Sequence, residues 1–277
     1  MEAIKTTSDK IETLKHELEK LKQKIHSTDV REYYKEIAKQ KNPKMMQQHR
    51  KYFASSLAEI DIHKIEPRII ICETQEQKAL FNSAMSYWSV PLSLGYGRRV
   101  NVIIYDSYHN KVIGIAGLCD PVISLKTRDD YIGWTTEQRH DRLYNMMTAY
   151  ALGAVPPYNQ LLGAKLIALL IGAKEISDYF TAKYHSAETV IRKRKPVAEL
   201  VAIDTMGAFG QSAIYHQLKE WHFLGYTKGY THFHLPDHIW QLIFDVATEM
   251  QLPVIQKHVY GDGANWKFRV LSDVFRV

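Results

Sequence analysis

Residues 100–118 read VNVIIYDSYHNKVIGIAGL, and the fold class turns on them. Two runs rich in β-branched and aromatic residues, Val100–Tyr105 and Val112–Leu118, flank the polar stretch Asp106–Lys111. Such side chains suit a pleated surface, and Asn110 tolerates the positive φ of a tight reversal. The segment therefore reads as a β-hairpin.

Upstream, Arg68–Cys72 predicts a short buried strand. Thr74–Trp88 predicts a helix, with Thr74 as its cap and Leu80, Phe81, Ala84 and Trp88 at helical spacing. Downstream, helices are expected over Thr136–Leu152, Asn159–Ile171, Ser212–Trp221 and Ile239–Met250, the last capped by Asp237. Strands are expected over Leu200–Asp204 and Tyr230–Leu235, with an edge strand at Trp266–Val270. A hairpin followed by strands alternating with helices indicates a mixed α/β (α+β) sheet flanked by helices.

The N-terminal part differs. Ile4, Ile11, Leu18 and Ile25 recur every seven residues, with Leu14 and Leu21 between them. This is an a/d seam over residues 4–25, which pairs either with a second copy or with another helix of the same chain. Further helices are expected over Val30–Gln40, ended by Asn42-Pro43, and from Met45 to Leu57. The expected division is a helical, coiled-coil arm for protein contacts at 1–66 and an α/β core at 67–277.

The chain has 277 residues, 45% of them hydrophobic, enough to bury one large core. Lys and Arg exceed Asp and Glu by 36 to 30, a balance that favours phosphates or acidic partners. Cys72 and Cys119 are too few for a disulfide scaffold. No stretch reaches the roughly 20 apolar residues of a membrane span, since Leu161–Gly172 is interrupted by Gly163 and Lys165. Met1–Lys10 is too polar for a secretory signal, and a cytoplasmic location is expected.

Several blocks are unusual in composition. Trp88-Ser-Val-Pro91 leads through Gly95-Tyr-Gly97 to Arg98-Arg99. Asp120-Pro121 precedes Arg128-Asp129-Asp130-Tyr-Ile-Gly-Trp134. Then follow Leu152-Gly-Ala-Val-Pro-Pro-Tyr-Asn159, Leu162-Gly-Ala-Lys165 and Gly225-Tyr-Thr-Lys-Gly-Tyr-Thr-His-Phe-His234. In order and spacing this tandem resembles the DruA family of the Druantia anti-phage systems, from about Trp88 to His234. Ala164 stands where that pattern has a second glycine, and Thr205-Met-Gly-Ala-Phe-Gly-Gln211 replaces a Thr/Ser-rich stretch with an Arg. The resemblance implies bacterial antiviral defence beside other components, including a helicase-like protein. It implies no reaction.

The residues themselves point to three chemistries. The first is an acyl-CoA-dependent transferase with a GNAT-like (N-acetyltransferase) core, acting on nucleic acid or a related acceptor. The GNAT signature Q/R-x-x-G-x-G/A binds a pyrophosphate on the amides of a helix N-terminus. Gln160-Leu-Leu-Gly-Ala-Lys165 matches it at Gln160 and Gly163, while Lys165 replaces the last small residue. Asn159, Gln160, Gly163, Ala164 and Lys165 would hold acetyl-CoA or another acyl-CoA. Tyr215 would protonate the leaving thiolate, and Asp204 or His216 would deprotonate an acceptor amine. The phage Mom family of DNA-base-modifying transferases is also placed among GNAT-like folds.

The second reading is a non-catalytic DNA-binding module that recruits partner defence proteins. Its candidates are Arg98, Arg99 and Arg128 for phosphates, with Trp134 and Tyr158 to stack on bases. The third is a metal-dependent hydrolase or nuclease using His232 and His234, two apart on an expected strand and so on one face. No Cys or Glu ligand falls at zinc-like spacing beside them, and no metal is assigned.

Overall fold

The computed structural model describes residues 7–27, 32–33, 35–36, 43–88, 97–189, 193–207, 212, 214–227, 235–252 and 266–276. The hairpin is present as β2 (Arg99–Asp106) and β3 (Lys111–Cys119), paired antiparallel with Arg99 opposite Cys119 and Asp106 opposite Lys111. Asn110 takes a φ of +55° in the turn. The turn is tied down from beneath by Asp106, which is fully buried. Its carboxylate accepts from the backbone N–H groups of Glu66, Tyr108 and His109, from His109 Nδ1 (2.6 Å) and from the Tyr158 hydroxyl (2.8 Å). A buried carboxylate is tolerable when its lone pairs are satisfied in this way.

Strand β1 (Pro67–Ile71) pairs antiparallel with β2, and α3 (Gln75–Met85) follows it behind a capping box of Thr74 and Gln77. Beyond the hairpin, β4 (Met146–Ala154) pairs antiparallel with β3, and β5 (Ala202–Thr205) runs parallel to β4. The described residues thus form a mixed five-stranded sheet in the order β1-β2-β3-β4-β5. One face packs Val102, Ile104, Ala116, Leu118, Met147 and Ala149 against α6 (Gly163–Leu170) and α7 (Lys174–Tyr184). The other packs Ile103 and Ile115 against Phe81 and Ala84 of α3.

Four sequence expectations need correction. The helix expected over Thr136–Leu152 is helical only as α5 (Thr136–Arg142), and Met146–Ala154 is a strand. This strand is buried on both faces, so it reads as a continuous apolar run with no period of two. The helix expected from Asn159 is a 3-10 turn at Tyr158–Leu161, broken by left-handed Leu162 (φ +60°), and α6 starts only at Gly163. Over 212–221 the described residues form turns, because Tyr215 stacks on Trp221 at 5.1 Å and Trp221 Nε1 donates to Ala168 O. On a helix, residues six apart point roughly 240° from each other and could not stack. The edge strand expected at Trp266–Val270 is instead the start of α9 (Trp266–Val274), where Val270 and Val274 are both buried at helical spacing.

Smaller differences fall nearer the N-terminus. The helix expected from Met45 is the short α2 (Pro43–Gln48), followed by 3-10 turns at Arg50–Tyr52 and Leu57–Glu59. Of Val30–Gln40, residues 32, 33, 35 and 36 are helical and the rest lie outside the described residues, as do 230–234. Between β3 and β4 the chain also forms α4 (Lys126–Ile132).

The chain divides into two compact units: Met1–Tyr33 with His232–Val277, and Tyr34–Thr231. The first joins α1 (Thr7–Ser27), α8 (Asp237–Glu249) and α9. There Leu14 and Leu21 of the heptad seam are buried, and α1 packs on α8 of the same chain, with Lys10 paired to Glu249. The second carries the sheet. No helix among the described residues is long and apolar enough to cross a membrane.

Candidate functional site

A row of side chains on the α3 face of the sheet does not follow the apolar pattern of the rest. The registers set Arg99 opposite Cys119, Cys119 opposite Thr148, and Thr148 opposite Asp204. Side chains at paired positions share a face, so a polar strip crosses four strands just beyond the area covered by α3. The Thr148 hydroxyl donates to Asp204 Oδ1.

A bulge widens this strip. Gly117 pairs with Ala151 and Leu118 with Ala149, leaving Tyr150 as the extra residue of β4. Bulges redirect a side chain and recur beside functional sites. The Tyr150 ring lies over Gly117, where an added Cβ would stand 2.4 Å from its Cζ. Its hydroxyl donates to Asn101 Oδ1 (2.9 Å), and the Arg99 guanidinium covers the ring at 4.9 Å.

Asp204 is anchored from the side by Arg128, which is 1% exposed. Arg128 gives Nε and Nη2 to Asp129 Oδ1 (3.0 and 2.8 Å) and Nη1 to Val122 O (2.9 Å), and reaches Asp204 only at 3.4 Å. Arg139 adds a bond to Asp129 (3.1 Å). Burial alone would raise the Asp129 carboxyl, but its Arg128 and Arg139 donors hold it below the usual range. Asp204 shifts the other way: burial raises it, and the Thr148 and Arg128 contacts only partly compensate. Burial also pushes the Cys119 thiol up to about 11, which makes it a poor nucleophile.

The raised Asp204 sets a pH dependence. The native state holds this proton more tightly than the unfolded chain, so its stabilising contribution is complete below the unfolded value, near 3.8. That contribution is lost as pH rises through the higher native value. Asp204→Asn, which keeps the shape of the protonated acid, should therefore gain stability relative to wild type between pH about 4 and 7. Urea midpoints of the two proteins at both pH values check this, and a constant difference would refute it.

The other sequence candidates occupy separate surroundings. Arg98 is turned inward: its Nε donates to Asp120 (2.6 Å), Nη1 to Tyr144 O (2.6 Å), and its guanidinium stacks over the Tyr144 ring. Tyr158 is buried on Asp106, and Arg128 is enclosed as described, so none of these three presents a side chain to a nucleic acid. Half-buried Trp134 follows α4, its backbone N–H bonded to Asp129 O. Asn159 and Gln160 are exposed on the turn before α6. Gly163 is buried, and a Cβ there would meet Tyr158 O at 2.7 Å. Ala164 and Lys165 are half-buried, and Lys165 Nζ lies 3.4 Å from Gln217 Oε1. Tyr215 stacks on Trp221, and exposed His216 meets the edge of Phe223. His232 and His234 lie outside the described residues. Among the described residues no group of three or more His, Cys, Asp or Glu could hold a metal ion.

The structure thus brings together Arg99, Arg128 and Asp204 of the sequence candidates, and adds Asn101, Thr148 and Tyr150. The last two were missed because β4 read as a helix. Thr148 and Tyr150 are the polar breaks in the otherwise apolar run 146–154, and those breaks are the signal that would have found them.

Comparison with known proteins gives a consistent picture. The sequence profile of the family described as Druantia protein DruA matches residues 13–277. A Druantia protein DruA from Escherichia coli (strain UMEA 4076-1) is 39% identical over 233 residues, covering 82% of this chain and 57% of its own length. The chain therefore spans little more than half of that relative. No solved structure matches.

Proposed function

The chain belongs to the Druantia protein DruA family, and from that premise we propose that it serves anti-phage defence as a GNAT-like, acyl-CoA-dependent transferase acting on nucleic acid or a related acceptor. One observation carries this reading. β4 and β5 run parallel and pair only from Met146–Ala202 to Ala149–Thr205, where the Thr205 hydroxyl bonds Ala149 O and closes the ladder. β4 continues to Ala154 and leads into α6. Four antiparallel strands, the fourth of them bulged, followed by a parallel fifth that pairs only with the first part of β4, form the strand arrangement on which this reading rests.

The turn before α6 supports the donor's anionic end. Asn159 and Gln160 are exposed there, and the described contact of the Lys165 ammonium is with Gln217. Amides, a helix N-terminus and an ammonium suit a pyrophosphate. When bound, the cofactor would supply an activated acyl group. The chain's own part would be to orient the acceptor and take its proton, a role this reading gives to the polar strip bearing Asp204.

Acetyl-CoA should raise the melting temperature. Ligand at roughly 100 Kd stabilises by about 2.7 kcal/mol, which moves Tm by several degrees in a domain of this size. Lys165→Ala should weaken the apparent affinity about tenfold, as expected for loss of one charge-assisted contact. No shift at millimolar acetyl-CoA or free CoA would remove the transferase reading.

The non-catalytic nucleic-acid reading keeps one supporting observation. Tyr131, Phe223 and Tyr226 are all more than half exposed; Tyr131 stacks on His222, and Phe223 meets both His216 and Tyr226. Exposed rings of this kind stack on unpaired bases. On this reading binding to single strands survives without any effect of acyl-CoA.

A further inference from the structure

Asp204 poses a problem in electrostatics. Its carboxyl is about nine-tenths buried, yet the nearest cation, Arg128, is committed to Asp129 at 2.8 Å and stands 3.4 Å away. A single hydroxyl, that of Thr148, is its other described partner. Keeping a carboxyl out of water with so little compensation costs free energy that packing of the strip does not return. Groups held in this condition, close to an accessible surface, are functional candidates.

On the same sheet face as Asp204, across the registers of Thr148 and Cys119, stands a flat wall. Tyr150, two residues beyond Thr148 on β4, lies over Gly117 with the Arg99 guanidinium against its ring. Gly117 is required there, since any side chain would occupy the place of the ring. The Asn101 bond to the Tyr150 hydroxyl fixes the ring in its plane. Arg99, Cys119 and Tyr150 are only half-buried, so the strip opens to solvent on this side. The half-buried Arg99 guanidinium, stacked on the Tyr150 ring, is the planar surface of this strip, and with a buried acceptor on the same face it suits a flat ring with an N–H on its edge.

We propose that this strip binds a nucleobase bearing an exocyclic amine, presented by a single-stranded or extruded nucleotide, with the amine N–H directed at the Asp204 carboxyl. This rests on the transferase reading only for its chemical step. A base stacked inside a duplex cannot reach a recessed sheet face, and unstacking it costs least in single strands. A carbonyl at the same edge would set oxygen against the Asp204 carboxylate and be rejected, because it leaves a buried acceptor unpaired.

The chemical step follows from these positions. The amine nitrogen attacks the acyl carbon of the thioester donor, and the N–C bond forms as the C–S bond breaks. The amine proton passes to Asp204, and the departing thiolate takes a proton from solvent water to leave as the free thiol, after which Asp204 returns its proton to solvent. Burial raises the proton affinity of Asp204, the direction that suits a group accepting the amine proton. Thr148 is a positioning residue, holding the carboxyl toward the wall.

Fluorescence anisotropy with short single-stranded oligonucleotides tests the inference without any cofactor. Adenine should bind about tenfold more tightly than hypoxanthine, and cytosine about tenfold more tightly than uracil, matching the loss of one hydrogen bond to a buried charged group. Asp204→Asn, whose amide can donate as well as accept, should erase both preferences while retaining overall binding. Equal affinities within both base pairs for the wild-type protein would overturn the inference, whether or not the variant folds. So would preferences that survive in Asp204→Asn. If the amine preference appears but acetyl-CoA gives no thermal shift, the transferase reading fails and the base site stands. A shift without the preference has the opposite meaning.

Discussion

Arg128→Met should cost the sheet-bearing unit about 3–5 kcal/mol, the loss expected when one partner of a buried ion pair is removed. The side chain fits without overfilling, so sterics are not the cause. Removal of the guanidinium strands Asp204 with Thr148 alone, leaves Asp129 to Arg139 and the Leu125 N–H, and takes a donor from the carbonyl of Val122. Urea denaturation should show the midpoint falling far more than for an exposed control such as Lys174→Met, whose partner Asp178 lies one helical turn away in solvent. The double variant Arg128→Met/Asp204→Asn should recover a part of the loss, since it discharges one of the two stranded carboxyls. A single-variant cost below about 1 kcal/mol would mean that the network is not the brace of this face.

Gly114→Ala should be nearly as damaging, at about 3 kcal/mol, the upper part of the range for overfilled cores. The new Cβ would lie 2.4 Å from Gly153 O and 2.7 Å from Ala154 Cα, both backbone atoms of β4, and 2.9 Å from Ile167 of α6. Neither the strand nor the helix can yield without breaking the β3–β4 ladder. Gly117→Ala is the informative contrast. The nearest atoms to this Cβ belong to the Tyr150 side chain and not to backbone, so the ring has to shift and give up its Asn101 bond, about 1 kcal/mol, while the strands stay in place. Thermal melts of the two variants should separate widely. Similar melting temperatures would show that the sheet is more plastic here than its spacing implies.

Much of the fold was legible in the residues. The hairpin at 100–118 is there, down to the left-handed Asn110, and Thr74 caps α3 as its spacing indicates. The expected strand Arg68–Cys72 is present, shifted by one residue, as β1. The misreadings share physical causes. A strand buried on both faces, Met146–Ala154, carries no alternation, and the apolar run 161–171 hides the left-handed break at Leu162. Both are decided by tertiary packing that local pattern does not encode. The same reason explains why the polar strip escaped notice. Arg99, Cys119, Thr148 and Asp204 lie on four strands, and only the pairing registers make them neighbours. Arg98 and Tyr158 were legible as unusual residues, but their unusual character belongs to internal bracing, at Asp120 and Asp106.

The pairing of α1 with α8 dictates an order of events during translation. Lys10 and Glu249 are separated by 239 positions, so α1 must wait for that length of chain to be made before its companion exists. The intervening unit can mature in that interval, because its strands find partners within a much shorter span. Leu14 and Leu21 stay uncovered meanwhile, an adhesive stripe on a nascent polypeptide. Neighbouring chains on one messenger would then compete with α8 for that stripe, and dimers born this way would reflect the timing of synthesis more than the affinity of the finished protein.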